Sequence, residues 1–199
     1  MAPLIALRAR ECKPFMSWAA APQRTHETQT VSDFAEQPLP APFVSSVMRV
    51  EEAWIDYNGH LNMAYYNVLF DRAVDELYEV IGVGPDYLNA TGHSTFTAEV
   101  HVRYLRELRA NDPVRVTIQL LAHDATRLHY FESLHHAEEG WLSATSENMS
   151  LQVDMAARKT APFPEAIERR IATMMEAHAK LPFPDGAGRS IAMPQTNLE

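Results

Sequence analysis

The chain has 199 residues, 46% of them hydrophobic, and a formal net charge of −9. These values fit one globular domain with a sizeable core and exclude a largely disordered chain, while the negative charge argues against general nucleic-acid binding, which requires a basic surface. The apolar runs are too short to span a membrane. Cys12 is the single cysteine, so no disulfide can form within the chain, and a reducing, cytoplasmic location is expected.

The first 42 residues differ from the rest of the chain. They show no sustained hydrophobic period and end in the proline-rich stretch "PLPAP". We predict a poorly ordered extension over residues 1–42. Its first two dozen residues carry four basic side chains and one acidic side chain, as a targeting segment does, but they lack the expected serine richness. A dispensable tail is therefore the favoured interpretation.

A turn and a long helix come next in the chain. Residues 47–54 are a strand candidate, and "YNGH" at 57–60 is a turn signal. From Leu61 onward apolar residues recur at steps of three and four, which predicts an amphipathic helix of about five turns. Gly82 ends this helix, and residues 85–92 form a short helical turn or a loop.

Beyond that point the hydrophobic period becomes two, which is typical of strands. A helix then closes the domain, and a tail rich in proline and glycine follows from residue 181. One long helix against an antiparallel meander is an α+β arrangement. We therefore predict a domain over 43–180 and a flexible tail over 181–199. The predicted strands cover 94–105, 114–120, 127–137 and 141–155, and the closing helix covers 162–180.

The segment "DYNGHLNMAYYNVLFDRA", which begins at Asp56, resembles the signature of the hotdog-fold acyl-CoA thioesterases of the 4-hydroxybenzoyl-CoA thioesterase type. Those enzymes carry an Asp, then a Gly, and then an aromatic-rich helix with an acid before Arg-Ala. "VRYLRELRANDPVRVTIQL" and "EEGWLSATSENMSLQVDM" match strands of the same family. The resemblance covers residues 46–165. It implies a single hotdog fold, an acyl-CoA substrate, no further cofactor, and a homodimer or a dimer of dimers.

A narrower resemblance concerns the thioesterases of carnitine breakdown, which release glycine betaine from betainyl-CoA. It is carried by "HLNMAYYNVLFDRAVDEL" and "VDMAARKTAPFP". This resemblance implies a small acyl group with a quaternary ammonium.

Asp56 is the candidate catalytic acid. By the resemblance it attacks the thioester as a nucleophile or activates water as a general base, and the sequence leaves both open. The alternative is that Asp56 only caps its turn. Gly59 lets the backbone turn tightly near a ligand, and the unpaired amides at the start of the helix can hold the developing oxyanion. The resemblance places that amide at about Met63.

Three polar residues nearby have less specific roles. His60 could polarise the carbonyl or orient water, although a packed ring is the favoured interpretation. Asn58 is a turn residue that the resemblance places beside the substrate. Asp71 lies fifteen residues after Asp56, where it binds at the subunit interface, lines the pocket, or is a structural acid.

Aromatic and basic residues complete the candidate binding set. A quaternary ammonium favours an aromatic cage, and Trp54, Tyr65 and Tyr66 lie near the presumed site. Ordinary core packing is the alternative for each ring. Arg127 is the best match to the family's basic turn for CoA phosphates, and is otherwise a surface charge.

Other classes of site and function are less favoured. Nine histidines are present, but no zinc-binding spacing occurs, so no metal is expected. A hotdog hydratase or dehydratase carries a D-x-N-P-x-H segment, and "DYNGH" is one residue shorter and lacks the proline. A non-catalytic acyl-CoA-binding protein with the same fold is the remaining alternative.

Overall fold

The structure is a computed structural model, and it describes residues 39–193. Residues 1–38 of the predicted extension lie outside this range. None of the described helices is long and apolar enough to cross a membrane. The elements in chain order are β1 (Phe43–Val44), β2 (Met48–Arg49), a 3₁₀ turn (Glu52–Trp54), α1 (Met63–Ile81), α2 (Pro85–Thr91), β3 (His93–Tyr104), β4 (Pro113–His123), β5 (Arg127–His136), β6 (Leu142–Asp154), β7 (Lys159–Thr160) and α3 (Glu165–His178).

The predicted long helix is confirmed as α1. The Asn62 side chain caps its first turn by accepting a hydrogen bond of 3.0 Å from the Ala64 amide, which satisfies one of the unpaired donors at a helix start. Gly82 ends the helix in the left-handed region, with φ of 85°, a conformation that costs glycine little. The helix begins two residues later than the hydrophobic period predicts, because Leu61 is still part of the preceding turn.

The long strands form one antiparallel sheet around α1. Their order is β1–β4–β5–β6–β3, with β2 also beside β4 and β7 also beside β6. The predicted meander is confirmed for β4, β5 and β6, but it is wrong for β3, which pairs with β6 and not with β4, its next neighbour in sequence. The predicted strand over 47–54 is wrong beyond β2, because residues 52–54 turn in a 3₁₀ helix that buries Trp54. The two-residue strands β1 and β7 were too short for a periodic signal.

The core lies between α1 and the concave face of the sheet. Leu69 and Ala73 of α1 are fully buried, as are Ile118 of β4 and Leu134 of β5. Burial of each large apolar side chain of this kind stabilises the fold by about 1.5–3 kcal/mol. This layer sets the position of α1 relative to every strand.

The inner face of β6 is polar, although it lies in the core layer. Ser146, Asn148, Ser150 and Gln152 alternate along this face and are buried. The apolar residues Met149 and Leu151 take the opposite face, as alternation along a strand requires. Polar groups therefore run beside α1 on the β6 side of the core.

Helix α3 closes the edge of β4. Its last residue, His178, accepts a hydrogen bond of 2.8 Å at Nδ1 from the Leu120 amide. The chain then crosses the outer face of the sheet, where the Gly188 amide donates to Glu147 Oε2 at 2.7 Å. The division into a 43–180 domain and a 181–199 tail stays a prediction.

Candidate active site

Asp56 begins a tight turn and binds its own backbone. Its amide donates to the His60 carbonyl at 2.9 Å, and its carbonyl accepts from the Gly59 amide at 3.0 Å. The carboxylate Oδ1 accepts from the Asn58 amide at 2.7 Å. Gly59 has φ of 79°, so this turn favours glycine. Within residues 39–193 no group donates a hydrogen bond to the other carboxylate oxygen, Oδ2. The half-buried Asp56 therefore keeps one carboxylate oxygen without a hydrogen-bond partner.

The same turn is fixed to the start of α1. Ile55 and Leu61 pair in an isolated β-bridge, and the Asn62 amide donates to the Trp54 carbonyl at 3.0 Å. No residue in the described part of the chain accepts a hydrogen bond from the Met63 amide, the first of α1. Because a helix start carries partial positive charge, this amide can stabilise an anionic oxygen. Asp56 and Met63 therefore flank one junction between the turn and α1. Their roles in catalysis stay predictions.

His60 lies half-buried beside the loop between β3 and β4. The pKa of Glu107 is lowered mainly by a hydrogen bond from the backbone amide of Glu107 itself, and to a smaller extent by the interaction with His60. The two side chains are thus near neighbours. Asn58 is exposed at the tip of the turn. Their roles toward a substrate stay predictions.

Trp54 is buried and already contacts a cation. Its ring stacks on Tyr65 with centroids 5.4 Å apart, and the Arg72 guanidinium carbon lies 5.0 Å from its centroid. Tyr66 is also buried and meets Tyr104 edge to face at 5.0 Å. These contacts are those of core packing, and an aromatic cage over an acyl group stays a prediction.

Asp71 and Arg127 lie away from the junction. Asp71 is eight residues along α1 from Met63, which is about 12 Å of helix. Arg127 pairs with Leu151 at one end of β6, whereas Ala144 pairs with Tyr104 near the junction; the separation along β6 is about 23 Å.

Arg127 is engaged locally. Its Nε donates to Asp124 Oδ2 at 2.7 Å, and this hydrogen bond is the main cause that lowers the pKa of Asp124 to about 2. Within a single chain, then, Arg127 and Asp56 do not share a site.

Sequence reasoning missed a buried acid opposite α1. Glu132 is 1% exposed, and its Oε2 accepts from Asn148 Nδ2 at 2.8 Å. Burial is the main cause that raises the pKa of Glu132 well above its usual value. The signal was present in "LHYFESL", where Glu132 takes the period-two position of Tyr130 and Leu134 on the core face.

Metal-binding side chains do not cluster in the described part of the chain. No group of three or more His, Cys, Asp or Glu residues within 39–193 could hold a metal ion.

Comparisons with known proteins converge on one family. A family model described as "Thioesterase-like superfamily" matches residues 50–171. A betainyl-CoA thioesterase from Pseudomonas aeruginosa is 41% identical over 141 residues, which are 71% of this chain and 89% of that protein. An L-carnitine dehydrogenase/betainyl-CoA thioesterase from Rhizobium meliloti is 43% identical over 143 residues, 72% of this chain. The chain spans 29% of the length of that relative.

A solved structure agrees with these matches. A hypothetical protein from Staphylococcus aureus in complex with CoA is 28% identical, with a TM-score of 0.71 over 79% of this chain and 100% of that one. The predicted resemblance and the α+β hotdog fold are both confirmed. Since the family match covers more than half of the sequence, the chain belongs to the thioesterase-like superfamily.

Proposed function

We propose that the chain is an acyl-CoA thioesterase that hydrolyses betainyl-CoA to glycine betaine and CoA. The observation that carries the proposal is the junction of the half-buried Asp56 carboxylate with the unpaired Met63 amide. The choice of betaine as the acyl group follows the names of the relatives from Pseudomonas aeruginosa and Rhizobium meliloti. The reaction uses CoA only as part of the substrate and needs no other cofactor.

The chemistry follows from the two groups at the junction. The thioester oxygen points at the Met63 amide, where the start of α1 stabilises the charge that develops on it. Asp56 takes a proton from water as the water oxygen bonds to the carbonyl carbon, or it bonds to that carbon itself and water then cleaves the anhydride. In either case the C–S bond breaks, and the thiolate of CoA leaves and is protonated.

Thiol release with an Asp56→Asn variant tests this proposal. The asparagine Oδ1 can still accept from the Asn58 amide, so the turn is kept while the base is removed. We expect kcat for betainyl-CoA to fall on the order of 100- to 10,000-fold, with CoA binding retained. Asp86→Asn, an exposed acid in the first turn of α2, is the matched control.

The same measurements separate the alternatives. Hydration of an enoyl-CoA without thiol release would favour the hydratase reading. Binding of acyl-CoA without turnover of any ester by the wild-type protein would favour a binding protein.

We also propose that the chain acts as a homodimer, alone or as a dimer of dimers, in the cytoplasm. Strand β3 is the edge of the sheet among the described residues and has 12 residues. Phe96, Val100 and Tyr104 on it are 47%, 43% and 45% exposed. A long apolar edge of this kind favours pairing with another strand, and a two-fold axis supplies an identical one. A monomeric mass in solution would contradict this proposal.

A further inference from the structure

One aromatic side chain of the sheet reaches the start of α1 and is still open to solvent. The Tyr104 hydroxyl donates a hydrogen bond of 3.2 Å to the carbonyl of Met63, the first residue of α1. Tyr104 is nonetheless 45% exposed. The ring therefore lies beside the residue whose unpaired amide begins the helix, and part of the ring surface is free.

The contacts of this ring leave one of its faces open. Tyr66 packs against Tyr104 edge to face, with ring centroids 5.0 Å apart. Whichever of the two rings supplies the edge, a contact of this kind covers at most one face of Tyr104. The cation–π contacts found within residues 39–193 are at Trp54 and Trp141, and neither involves Tyr104. A cation from a ligand can therefore approach the open face.

The other rings near the junction are already engaged in packing. Trp54 and Tyr66 are buried. Tyr65 stacks on Trp54 with ring planes inclined by 10°, and the Arg72 guanidinium lies over the same Trp54 ring. A quaternary ammonium would have to displace these contacts to reach any of the three rings. Binding on the open face of Tyr104 requires no such displacement.

Strand β3 holds the Tyr104 ring on the concave side of the sheet. Tyr104 pairs with Ala144 of β6, and Ala144 is fully buried on the face that it shares with Ser146 and Asn148. Pairing of β3 with a second copy uses backbone groups along the edge of the strand, whereas side chains project to the two faces. The ring therefore stays beside the start of α1 in the proposed homodimer.

We propose that Tyr104 is a specificity-determining residue that holds the quaternary ammonium of the acyl group against the open face of its ring. The inference rests on the proposed thioesterase function, and it moves the aromatic contact from the three packed rings to Tyr104. In betainyl-CoA a single methylene separates the ammonium nitrogen from the thioester carbonyl. A carbonyl held at the Met63 amide therefore keeps the ammonium near the start of α1. The electron-rich face of a phenol ring attracts a cation more strongly than a neutral group of equal shape.

Two esters of equal shape test the proposal. The substrates are betainyl-CoA and 3,3-dimethylbutyryl-CoA, in which a carbon replaces the charged nitrogen. The readout is the ratio of kcat/KM for the cationic ester to kcat/KM for the neutral ester. We expect Tyr104→Leu to lower this ratio on the order of 5- to 30-fold, the effect of one cation–π contact. Tyr104→Phe keeps the ring, so its ratio should stay within about 3-fold of the wild type. Phe183→Leu, which removes a ring that is 71% exposed after α3, should leave the ratio unchanged.

A graded series separates the electrons of the ring from its shape. Phenylalanine analogues with one or three ring fluorines, incorporated at position 104, nearly keep the size of the Tyr104→Phe side chain but withdraw electrons from the ring face. The ratio should fall as the number of fluorines rises, which a purely structural role would not produce. Because these rings differ little in shape, the series keeps the test valid if Tyr104→Leu does not fold.

The outcomes separate this proposal from the proposed function. A wild type that cleaves both esters equally, a Tyr104→Leu variant that loses both equally, or a ratio independent of fluorination would overturn the role of Tyr104 and leave the thioesterase function intact. If the wild type cleaves no ester, the proposed function fails, and calorimetric titration with tetramethylammonium chloride decides the role of Tyr104. Binding that is weakened in Tyr104→Leu supports that role, and equal or absent binding overturns it.

Discussion

The buried acid Glu132 should make the stability of the fold depend on pH in a defined direction. Burial raises the pKa of Glu132 well above its usual value, so the folded chain keeps a proton that the unfolded chain loses at about pH 4.3. Between those two pKa values the folded state binds one more proton per chain. The contribution of Glu132 to stability is therefore complete below pH 4.3 and is lost as pH rises toward the folded pKa.

The magnitude follows from the number of protons. One proton per chain corresponds to a loss of about 1.4 kcal/mol in the free energy of unfolding for each pH unit. With a urea slope of about 1–3 kcal/mol per molar for a protein of this size, the midpoint of unfolding should fall by about 0.5–1.4 M per pH unit. Glu132→Gln cannot lose a proton and removes this dependence.

The assay is urea unfolding at one protein concentration, at pH 5, 5.5 and 6, for the wild type and Glu132→Gln. Every other titratable group is common to both proteins, so its contribution cancels in the difference between them. Of the titratable groups that face Glu132, Tyr78 and Tyr130 remain neutral at these pH values, since burial raises both tyrosine pKa values. A constant difference between the two proteins across these pH values would refute a protonated Glu132. Glu168→Gln controls for the loss of an exposed acid.

Two further predictions concern the helix start and the subunit contact. Asn62→Ala removes the cap of α1 and should cost about 1 kcal/mol of stability, measured by urea unfolding. Val100→Lys places a charge on the exposed edge strand and should give a monomer by sedimentation, with thiol release reduced.

Local signals determined most of the elements of this protein. Apolar residues every three or four positions from Leu61, with Gly82 after them, predict α1 because one helical face must be buried. Alternation at period two predicts β3 to β6 in the same way. The turn from Asp56 to Gly59, directly before a helix, also predicts that Asp56 lies near an amide such as that of Met63, since both belong to one short segment. These features depend on neighbours in sequence.

Only the tertiary structure decided which side chains meet across the sheet. The inner face of β6 is its polar face, and it brings Asn148 to Glu132 and both to the flank of Asp71. Residues 71, 132 and 148 lie on three separate elements, so their meeting depends on the register of strands and the rotation of α1 over them. Arg127 illustrates the converse, because sheet register moves it away from the Asp56 turn of the same chain. Long-range packing sets these relations, and no local pattern contains them.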